Sequence, residues 1–496
     1  MGGRGKAGAA GGAGEGYRGQ RVAVIGLGRS NLPLVRWLLE RGARVTLFDR
    51  QTAAELGERM APLAGLGVEM RLGPGYLDEG LERFDRLVLT PGMRLDLPQV
   101  EEARRRGVPL DGEIAILLRE LAARGARVVG ITGSSGKTTT TSLAGRIFAA
   151  AGLRTWVGGN IGDPLIDRVD RISAGDTVVL ELSSFQLRTV DRSPQAAALL
   201  NVRPNHLDVH PSFEDYVESK RRIVRFQVPE DVAVLNAEDE ICRATPTPAR
   251  RLWFALEPSA LPAGGEGAAW LEEGRLRLRW EGCSEELGEA RQIPLRGRHN
   301  VANVLAAAGL ARALGVPAAV AWRAVLDFRP VEHRLELCGR AGGATWVNDS
   351  IATAPDRTVA GLEAFEEPVV LIAGGYDKHL SYRQLAERML GRVRLAVLLG
   401  QTGPVIAREL EQAAAERDVE PPPVLRVGSL EEAVEAARQH ARPGDVVLFS
   451  PASASYDMFR DFEERGRRFK ELVGRLGRRE AAAGVRNGEE PGGAEG

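Results

Sequence analysis

Short apolar runs alternate with longer amphipathic stretches along most of this chain. The runs are five to seven residues long, which is the usual length of a buried strand. In chain order they are VAVIG (22–26), VTLFD (45–49), RLVLT (86–90), VVGIT (128–132), TVVLEL (177–182), AALLN (197–201), VAVLN (232–236), TWVND (345–349), VVLIAGG (369–375), LAVLLG (395–400) and DVVLFS (445–450). Strands of this kind, separated by helical stretches, predict parallel sheets covered by helices.

The runs form three series, which predict three α/β domains. Boundaries are expected near residues 123 and 330, the second where Pro330 ends a helix. Between 250 and 295, the segments RLWFAL, AAWLEEG and RLRLRW predict hairpin strands before a helix that begins at His299. Both ends are rich in Gly, Ala and charge and are expected to be disordered. The expected division is a tail over 1–19, domains over 20–123, 124–330 and 331–475, and a tail over 476–496.

Composition agrees with this division and excludes several classes of protein. The chain has 496 residues, too many for one core, and a net charge of −1, which gives no reason to expect a nucleic-acid or membrane partner. Its three cysteines, Cys242, Cys283 and Cys338, are far apart and predict neither disulfides nor a zinc site. No apolar stretch resembles a signal peptide or a membrane span, so a cytoplasmic protein is expected.

The segment GITGSSGKTTT (130–140) predicts a phosphate-binding loop. A buried strand leads into a Gly/Ser loop, then Lys137, then threonines that open a helix, so backbone N–H groups can surround phosphates. Lys137 would contact the β- and γ-phosphates, and Thr138 would bind Mg²⁺. Ile131 stands where the strict motif has its first glycine, and Gly133 serves instead. The alternative is a Gly-rich turn that contains a lysine by chance.

Four further polar residues follow strand ends or lie on a helix downstream. Glu181 follows an apolar run, and the carboxyl end of such a strand faces the ligand crevice of an open sheet. A carboxylate there suits a phosphate-bound Mg²⁺. His206 and Asp208 follow the next strand, and Lys220 lies on a predicted helix. Taken singly, a salt-bridged Glu, a structural His and a surface Lys are the ordinary alternatives.

Near the N-terminus, GLGRSN (26–31) follows a strand and Asp49 ends the next one. This nearly matches the dinucleotide fingerprint, so an NAD(P) oxidoreductase is an alternative, although Asn31 replaces the third glycine.

Taken together, the motifs resemble those of the Mur ligase family. They occur in the family's order over about residues 20–475, and they are TGSSGKTTT, GNIG, ELSSFQL, NHLD…SK, GRHNVANVLAAA, HRLE, NDSIAT, GGYDK and SPASASYDMF. The resemblance implies an N-terminal Rossmann-like domain that binds a UDP-sugar, a central P-loop-type ATPase domain with a parallel sheet, and a C-terminal Rossmann-like domain that binds glutamate.

The resemblance also implies an activity: ATP-dependent addition of D-glutamate to UDP-N-acetylmuramoyl-L-alanine through an acyl phosphate, in peptidoglycan precursor synthesis. ATP, two Mg²⁺ ions and a CO₂-derived carbamate on Lys220 are the implied cofactors. No nucleic-acid or membrane partner is implied, and a monomer is expected.

Individual residues carry over from the family's motifs. Those implied in catalysis are Lys137, Lys220, His206 and His333. The metal ligands are Thr138, Glu181, His206 and the Lys220 carbamate. ATP would contact Gly133, Ser134, Ser135, Gly136, Lys137, Thr138, Thr139, Asn300 and Asn303 near the adenine, Arg334 and Asp349. The UDP-sugar would contact Ser30, Asn31, Asp49, Arg50, Gly92 and Asn160. Glutamate would contact Thr353, Lys378, Ser455 and Phe462, although turn formation and core packing are the alternatives for the last two.

One position departs from the family's pattern, because Ile351 stands where many members have a lysine after the NDS motif. The L-glutamate-specific form of the same ligase therefore stays open as an alternative. So do a folylpolyglutamate-type ligase, a nicotinamide dehydrogenase fused to an ATPase, and a nucleotide-sugar sensor without catalysis.

Overall fold

A computed structural model describes residues 15–28, 30–78, 80–204, 209–295, 297–329, 332–365, 367–378 and 380–486. They form two compact units whose main boundary in the sequence lies between Phe328 and Arg329, close to the boundary expected near 330. Within these ranges, every helix is too short or too polar to cross a lipid bilayer.

The N-terminal part of the first unit is a five-stranded parallel sheet in the order β3-β2-β1-β4-β5. Its strands are β1 (Arg21–Ile25), β2 (Arg44–Asp49), β3 (Glu69–Leu72), β4 (Arg86–Leu89) and β5 (Leu110–Asp111). Its helices are α1 (Asn31–Glu40), α2 (Ala53–Leu56), α3 (Pro98–Arg105) and α4 (Glu113–Ala123). The strand order reverses at β1, so a ligand crevice is expected at the carboxyl ends of β1 and β4.

The central part is a nine-stranded sheet in the order β14-β13-β12-β11-β10-β9-β6-β8-β7. Its strands are β6 (Arg127–Thr132), β7 (Thr155–Gly159), β8 (Thr177–Glu181), β9 (Ala196–Leu199), β10 (Val232–Asn236), β11 (Arg250–Ala255), β12 (Gly267–Glu272), β13 (Arg275–Trp280) and β14 (Cys283–Glu289). Its helices are α5 (Lys137–Ala150), α6 (Ser184–Leu187), α7 (Phe213–Arg225), α8 (Glu240–Arg243), α9 (Arg298–Ala313) and α10 (Ala318–Leu326).

The hairpin prediction for residues 250–295 is wrong for its first strand. RLWFAL forms β11, which is parallel to both β10 and β12, and only β12, β13 and β14 pair antiparallel. Leu252, Trp253 and Phe254 are consecutive and buried. A continuous apolar run is typical of a strand covered on both faces, as in a parallel sheet, whereas a half-exposed hairpin strand alternates.

The second unit is a six-stranded sheet in the order β15-β16-β20-β17-β18-β19, parallel except for the β15–β16 pair. Its strands are β15 (Glu336–Ala341), β16 (Ala344–Asn348), β17 (Val369–Gly374), β18 (Val393–Leu399), β19 (Val424–Arg426) and β20 (Val446–Phe449). Its helices are α11 (Pro355–Leu362), α12 (Arg383–Met389), α13 (Gly403–Arg417), α14 (Leu430–His440) and α15 (Phe462–Arg486).

Structure extends into both segments that were predicted as tails. Helix α15 continues past residue 476 to Arg486, because the Arg, Glu and Ala residues there favour a helix and Leu476 is buried against the sheet. At the other end, Tyr17 is buried, with its ring edge-on to Trp37 at a centroid distance of 5.3 Å. The aromatic contact ties the start of the chain to α1.

Candidate functional site

The phosphate loop joins the end of β6 to the start of α5, at the point where the strand order of the central sheet reverses. Gly136 has φ of 80°, in the left-handed region, and a Cβ there would lie 2.4 Å from Asn303 Oδ1. Only glycine suits both conditions. Lys137, Thr138 and Thr139 follow as the first turn of α5, so the loop's N–H groups and the helix N-terminus lie together.

Hydrogen bonds from the loop after β9 fix the shape of the phosphate loop. Ser134 N donates to Asn201 O and Ser135 N to Asn201 Oδ1, both at 2.9 Å. The Ser134 hydroxyl lies 2.9 Å from the hydroxyl of Tyr216, and Tyr216 is on the same helix as Lys220. The ammonium of Lys137 lies over the loop, 2.8 Å from the Gly133 carbonyl.

The two asparagines predicted near the adenine lie at the phosphate loop. Thr140 Oγ1 donates to Asn303 Oδ1 at 3.2 Å, and Asn303 Nδ2 donates to Asn300 Oδ1 at 3.0 Å. Both asparagines are buried. Helix α9 therefore supports the junction between the loop and α5, and the side chain of Asn303 is engaged with α5.

Glu181 has a buried carboxylate with one oxygen left for a ligand. It ends β8 and is 2% exposed. Its Oε1 accepts a 2.8 Å hydrogen bond from Asn160 Nδ2, whereas Oε2 has no hydrogen-bond partner among the described residues. A buried, unsatisfied carboxylate oxygen is costly unless a cation or donor reaches it. The residues therefore fit Mg²⁺, and Asn160, which was predicted at the UDP-sugar, orients this carboxylate.

Lys220 is buried at the same place, 1% exposed, on α7. Its Nζ donates to Gly133 O at 2.9 Å and lies 3.4 Å from Thr132 Oγ1. Burial, followed by the positive charge of Lys137, holds the pKa of the Lys220 ammonium well below its usual range. Both effects favour the neutral amine over the ammonium beside the phosphate loop, near Glu181.

A hydrogen-bonded network joins the segment after Glu181 to the helix that carries Lys220. His210 Nε2 lies 3.0 Å from the Ser184 hydroxyl on α6, and His210 Nδ1 lies 2.6 Å from Asp215 Oδ2 on α7. Burial lowers the pKa of His210, although Asp215 opposes this. Sequence reasoning missed this network.

His206 lies outside the described residues, and among those described no three His, Cys, Asp or Glu side chains form a metal-binding group.

In the N-terminal sheet, Asp49 supports the loop after β1. Its Oδ2 accepts from Leu27 N at 2.7 Å, and its Oδ1 accepts from Gln51 N at 2.9 Å. Asn31 is fully buried, and its Nδ2 donates to Gly26 O at 2.8 Å. The asparagine thus closes the turn from within the loop, where the dinucleotide fingerprint has its third glycine.

The other residues predicted at the UDP-sugar lie around the same sheet edge. Ser30 precedes α1, and Arg50 is exposed directly after β2. Gly92 follows β4 with φ of 84° and has no atom within 4 Å of its Cβ position, which leaves room for a ligand against the backbone.

Glu113 lies in the cleft beside Gly92 and gives a pH-dependent prediction. It is 3% exposed, and burial, then the charge of Asp167, raises its pKa to about 8. The folded state therefore binds the proton more tightly than the unfolded chain, so stability should fall as pH rises from about 4.5 through 8. Thermal unfolding of Glu113→Gln should show a higher transition temperature than the unsubstituted protein at pH 9, and the difference should shrink towards pH 5. A difference that does not change with pH would contradict the shift.

In the second unit, Asp349 follows β16 as a buried carboxyl group. Its oxygens accept from Leu335 N at 3.2 Å and from Ser450 Oγ at 2.8 Å. Burial raises its pKa to about 6, and the nearby positive charge of Arg334 opposes the rise. Arg334 and Asp349, both predicted at ATP, are thus close enough to interact.

His333 is buried against α15. Its Nδ1 lies 2.9 Å from Asn348 Nδ2, and its ring meets Phe462 edge-on at 6.4 Å. Its φ of 64° is unusual for a residue other than glycine, and burial lowers the pKa of the imidazole. The ring is thus held in one orientation, and its predicted part in proton movement stays a prediction.

The residues predicted at glutamate gather at the carboxyl ends of β16, β17 and β20. Thr353 follows β16, Lys378 follows β17, and Ser455 follows β20. Tyr376 N donates to Ala454 O at 2.9 Å, so the last two loops are joined. Phe462 begins α15, and its carbonyl accepts from Ser350.

Arg465 holds these loops together and was missed in the sequence. It is 2% exposed, and its guanidinium donates to the carbonyls of Ser350, Ser453 and Ala454 at 2.9–3.1 Å. The available signal in the sequence was that Arg465 lies three residues after Phe462, because residues three apart share a helix face.

Three family models match the chain in order. They are the Mur ligase MurD-like N-terminal domain over 20–112, the Mur ligase middle domain over 131–311, and the Mur ligase glutamate ligase domain over 333–453.

Relatives named UDP-N-acetylmuramoylalanine–D-glutamate ligase cover almost the whole chain. The one from Symbiobacterium thermophilum is 47% identical over 92% of this chain and 98% of its own. The one from Acetivibrio thermocellus is 42% identical over 92% of this chain and 96% of its own.

Among solved structures, UDP-N-acetylmuramate-alanine ligase from Thermotoga maritima has a TM-score of 0.52 at 21% identity, over 92% of this chain and 99% of that one. A pseudomurein peptide ligase type C from Methanothermus fervidus has a TM-score of 0.53 at 18% identity, over 92% of this chain and 100% of that one. These similarities confirm the three-domain α/β fold, and the family models with the relatives show that the chain belongs to the Mur ligase family, among its UDP-N-acetylmuramoylalanine–D-glutamate ligases.

Proposed function

We propose that this protein uses ATP to join D-glutamate to the alanine carboxylate of UDP-N-acetylmuramoyl-L-alanine, in peptidoglycan precursor synthesis. The observation that carries the proposal is the cluster at the phosphate loop: buried Lys220, and Glu181 with a free carboxylate oxygen, beside the loop that ends in Lys137. A nucleotide-binding protein without phosphoryl transfer has no need for this combination.

Activation of the carboxylate is the first step. An amine cannot displace oxygen from a carboxylate at useful rates, so the carboxylate oxygen attacks the γ-phosphorus of ATP and ADP leaves. The protein's part is to position the groups and to offset the developing charge. Lys137 and the N–H groups at the start of α5 do this at the phosphates. Bound Mg²⁺, held by Glu181 and Thr138, would add charge neutralisation.

A carbamate on Lys220 supplies a further anionic ligand in this proposal. The neutral amine adds to CO₂, forming an N–C bond and releasing one proton, so that a neutral group becomes an anion with two hard oxygen atoms. Burial and the nearby charge of Lys137 favour the neutral amine that this reaction requires. With Glu181 and His206, the carbamate would hold two Mg²⁺ ions.

Amide formation completes the reaction. The amino group of glutamate attacks the acyl phosphate, and the tetrahedral intermediate collapses with loss of phosphate. Thr353, Lys378, Ser455 and Phe462 are the residues proposed to hold glutamate, and Lys378 supplies the positive charge for a carboxylate.

The Lys378→Ala variant should raise the KM for glutamate about a hundredfold while the KM for ATP changes less than threefold. The variant loses a charged partner of one substrate only, and hydrogen bonds to charged groups are worth about 1.5–3 kcal/mol. Steady-state kinetics with each substrate varied in turn measure this. Equal rises in both KM values would remove Lys378 from the glutamate site.

The Asp49→Ala variant should weaken binding of the UDP-sugar about tenfold and leave ATP binding unchanged. Leu27 N and Gln51 N would lose their shared acceptor, and the loop after β1 would lose its fixed shape. Calorimetric titration with UDP-N-acetylmuramoyl-L-alanine and, separately, with an ATP analogue measures both affinities. Unchanged sugar-nucleotide affinity would assign this loop to another role.

Phosphate release from ATP tests the function as a whole. Release should require both UDP-N-acetylmuramoyl-L-alanine and glutamate, with D-glutamate preferred over L-glutamate. Preference for L-glutamate would keep the chemistry and change the substrate, with Ile351 the first residue to examine. Release with a folate substrate, or none with either glutamate, would contradict the proposal. We expect a monomer, which light scattering during chromatography would establish.

A further inference from the structure

Exposed aromatic side chains concentrate beside Lys378. Nine large apolar side chains are exposed in the described part of the chain, and three of them lie in the two loops around this lysine. Tyr456 is 63% exposed, and Tyr376 and Leu380 are each 39% exposed. Rings exposed to this extent contribute little to the core, and clustered exposed apolar groups commonly mark a binding site.

Both tyrosines lie where the strand order of the C-terminal sheet reverses. Strands β17 and β20 are neighbours, but β17 leads to α12 on one face and β20 leads to α15 on the other. The chain therefore turns to opposite faces of the sheet after these strands, and the carboxyl ends of strands at such a point are the usual ligand position in open α/β sheets. Tyr376 follows β17, and Tyr456 follows β20.

The backbone beneath the two rings is held firmly. Tyr376 N donates to Ala454 O at 2.9 Å, and the same carbonyl accepts from buried Arg465 at 3.0 Å. Directly before Tyr456, Ser455 O accepts from Phe459 N at 2.8 Å, so the turn that carries Tyr456 is closed by a hydrogen bond. The rings are thus presented to solvent from a fixed support.

The rings and the lysine form one group, which we name the Tyr376–Lys378–Tyr456 group. The two ring centroids are 6.0 Å apart at an interplanar angle of 69°. Lys378 Nζ lies 5.8 Å from the centroid of the Tyr456 ring, within the range of a cation–π contact. The ammonium therefore lies next to the Tyr456 ring, which in turn contacts the Tyr376 ring edge-on.

We propose that Tyr376 and Tyr456 form the wall of the glutamate site and set its preference for chain length. A carboxylate of the amino acid pairs with Lys378, and the methylene groups between its two carboxylates pack against the rings. Aspartate has one methylene fewer, so it cannot reach Lys378 and keep the same ring contact. The two tyrosines are positioning residues, and this inference rests on the function proposed above.

The test uses the full-length protein with both tyrosines replaced, Tyr376→Ser with Tyr456→Ser. The KM for D-glutamate should rise about tenfold, and the ratio of kcat/KM for D-glutamate over D-aspartate should fall about tenfold, because one methylene in an apolar contact is worth at least that factor. The kcat for glutamate and the KM for ATP should change less than twofold. The Tyr376→Phe, Tyr456→Phe pair keeps the ring faces and should retain the ratio.

Val419→Ser is the matched control, because Val419 is 48% exposed and lies just before β19, at the opposite end of the strands. Val419→Ser should change neither the KM for D-glutamate nor the glutamate-to-aspartate ratio of kcat/KM. Thermal unfolding should show that all variants remain folded. A serine pair with an unchanged glutamate-to-aspartate ratio would overturn the inference and leave the ligase proposal intact. Unsubstituted protein without glutamate-dependent phosphate release would overturn both.

Discussion

The Lys220→Ala variant is expected to lose turnover by about a thousandfold or more, the scale seen when a principal charge-bearing group of phosphoryl transfer is removed. Lys220 is 1% exposed and lies 2.9 Å from the phosphate loop, so no solvent-borne group replaces it readily. The same variant should still bind ATP, because the phosphate loop and Lys137 remain. Phosphate release and the affinity for an ATP analogue measure the two effects separately.

CO₂ dependence distinguishes a carbamate from an ordinary amine at this position. Unsubstituted protein freed of CO₂ should lose turnover, and bicarbonate should restore it, whereas Lys220→Ala should respond to neither treatment. Glu218→Ala, on the exposed side of the same helix, controls for damage to α7. Normal turnover in Lys220→Ala would end the carbamate proposal, and CO₂-independent turnover in unsubstituted protein would do the same.

The Glu181→Gln variant is expected to lower kcat by about a hundredfold to a thousandfold. Glutamine has the same shape and its carbonyl can still accept from Asn160, but the negative charge that attracts Mg²⁺ is gone. Half-maximal turnover should therefore need more Mg²⁺, as a titration of rate against Mg²⁺ would show. In metal-free buffer, the variant should unfold at a higher temperature than unsubstituted protein, because a buried charge with one unpaired oxygen has been removed.

Glu181→Gln should thus lower kcat and raise the unfolding temperature. These opposite effects distinguish a carboxylate that acts in catalysis from one that only supports the fold. Glu120 supplies the comparison: it is buried on α4 and paired with Arg124, and α4 precedes β6, whose other end leads into the phosphate loop. The Glu120→Gln variant should lose stability and keep its Mg²⁺ dependence. A Glu181→Gln protein that loses stability and keeps its turnover would show that Glu181 only supports the fold.

The positions of the phosphate loop, Glu181 and Lys220 could be predicted from the sequence because each depends on local order, and their roles stay predictions. A strand leads directly into the phosphate loop, and another leads into Glu181. The carboxyl ends of parallel strands share one edge of a sheet. Helix α7 brings Lys220 to that edge through its buried face, on which Tyr216 and Lys220 are spaced four residues apart.

Contacts between distant segments were the part that the sequence could not predict. Asn303 meets Gly136 across more than 160 residues, and the pairing of His210 with Ser184 depends on how α6 packs against α7. The parallel pairing of β11 was missed because a short apolar run fits either a hairpin or a buried strand until its neighbours are known. Arg465 was missed because its spacing from Phe462 indicates a shared helix face but does not reveal its partners, which are backbone carbonyls.

Transfer of ¹⁸O from substrate to phosphate shows whether the reaction passes through an acyl phosphate. UDP-N-acetylmuramoyl-L-alanine labelled with ¹⁸O in both oxygens of its alanine carboxylate should be incubated with ATP, Mg²⁺ and D-glutamate, and the released phosphate analysed by mass spectrometry. We expect one ¹⁸O atom in each phosphate, together with the amide product, because the oxygen lost from the carboxylate leaves on phosphorus. Amide formation with unlabelled phosphate would contradict the acyl-phosphate route, and phosphate release without an amide would contradict the ligase.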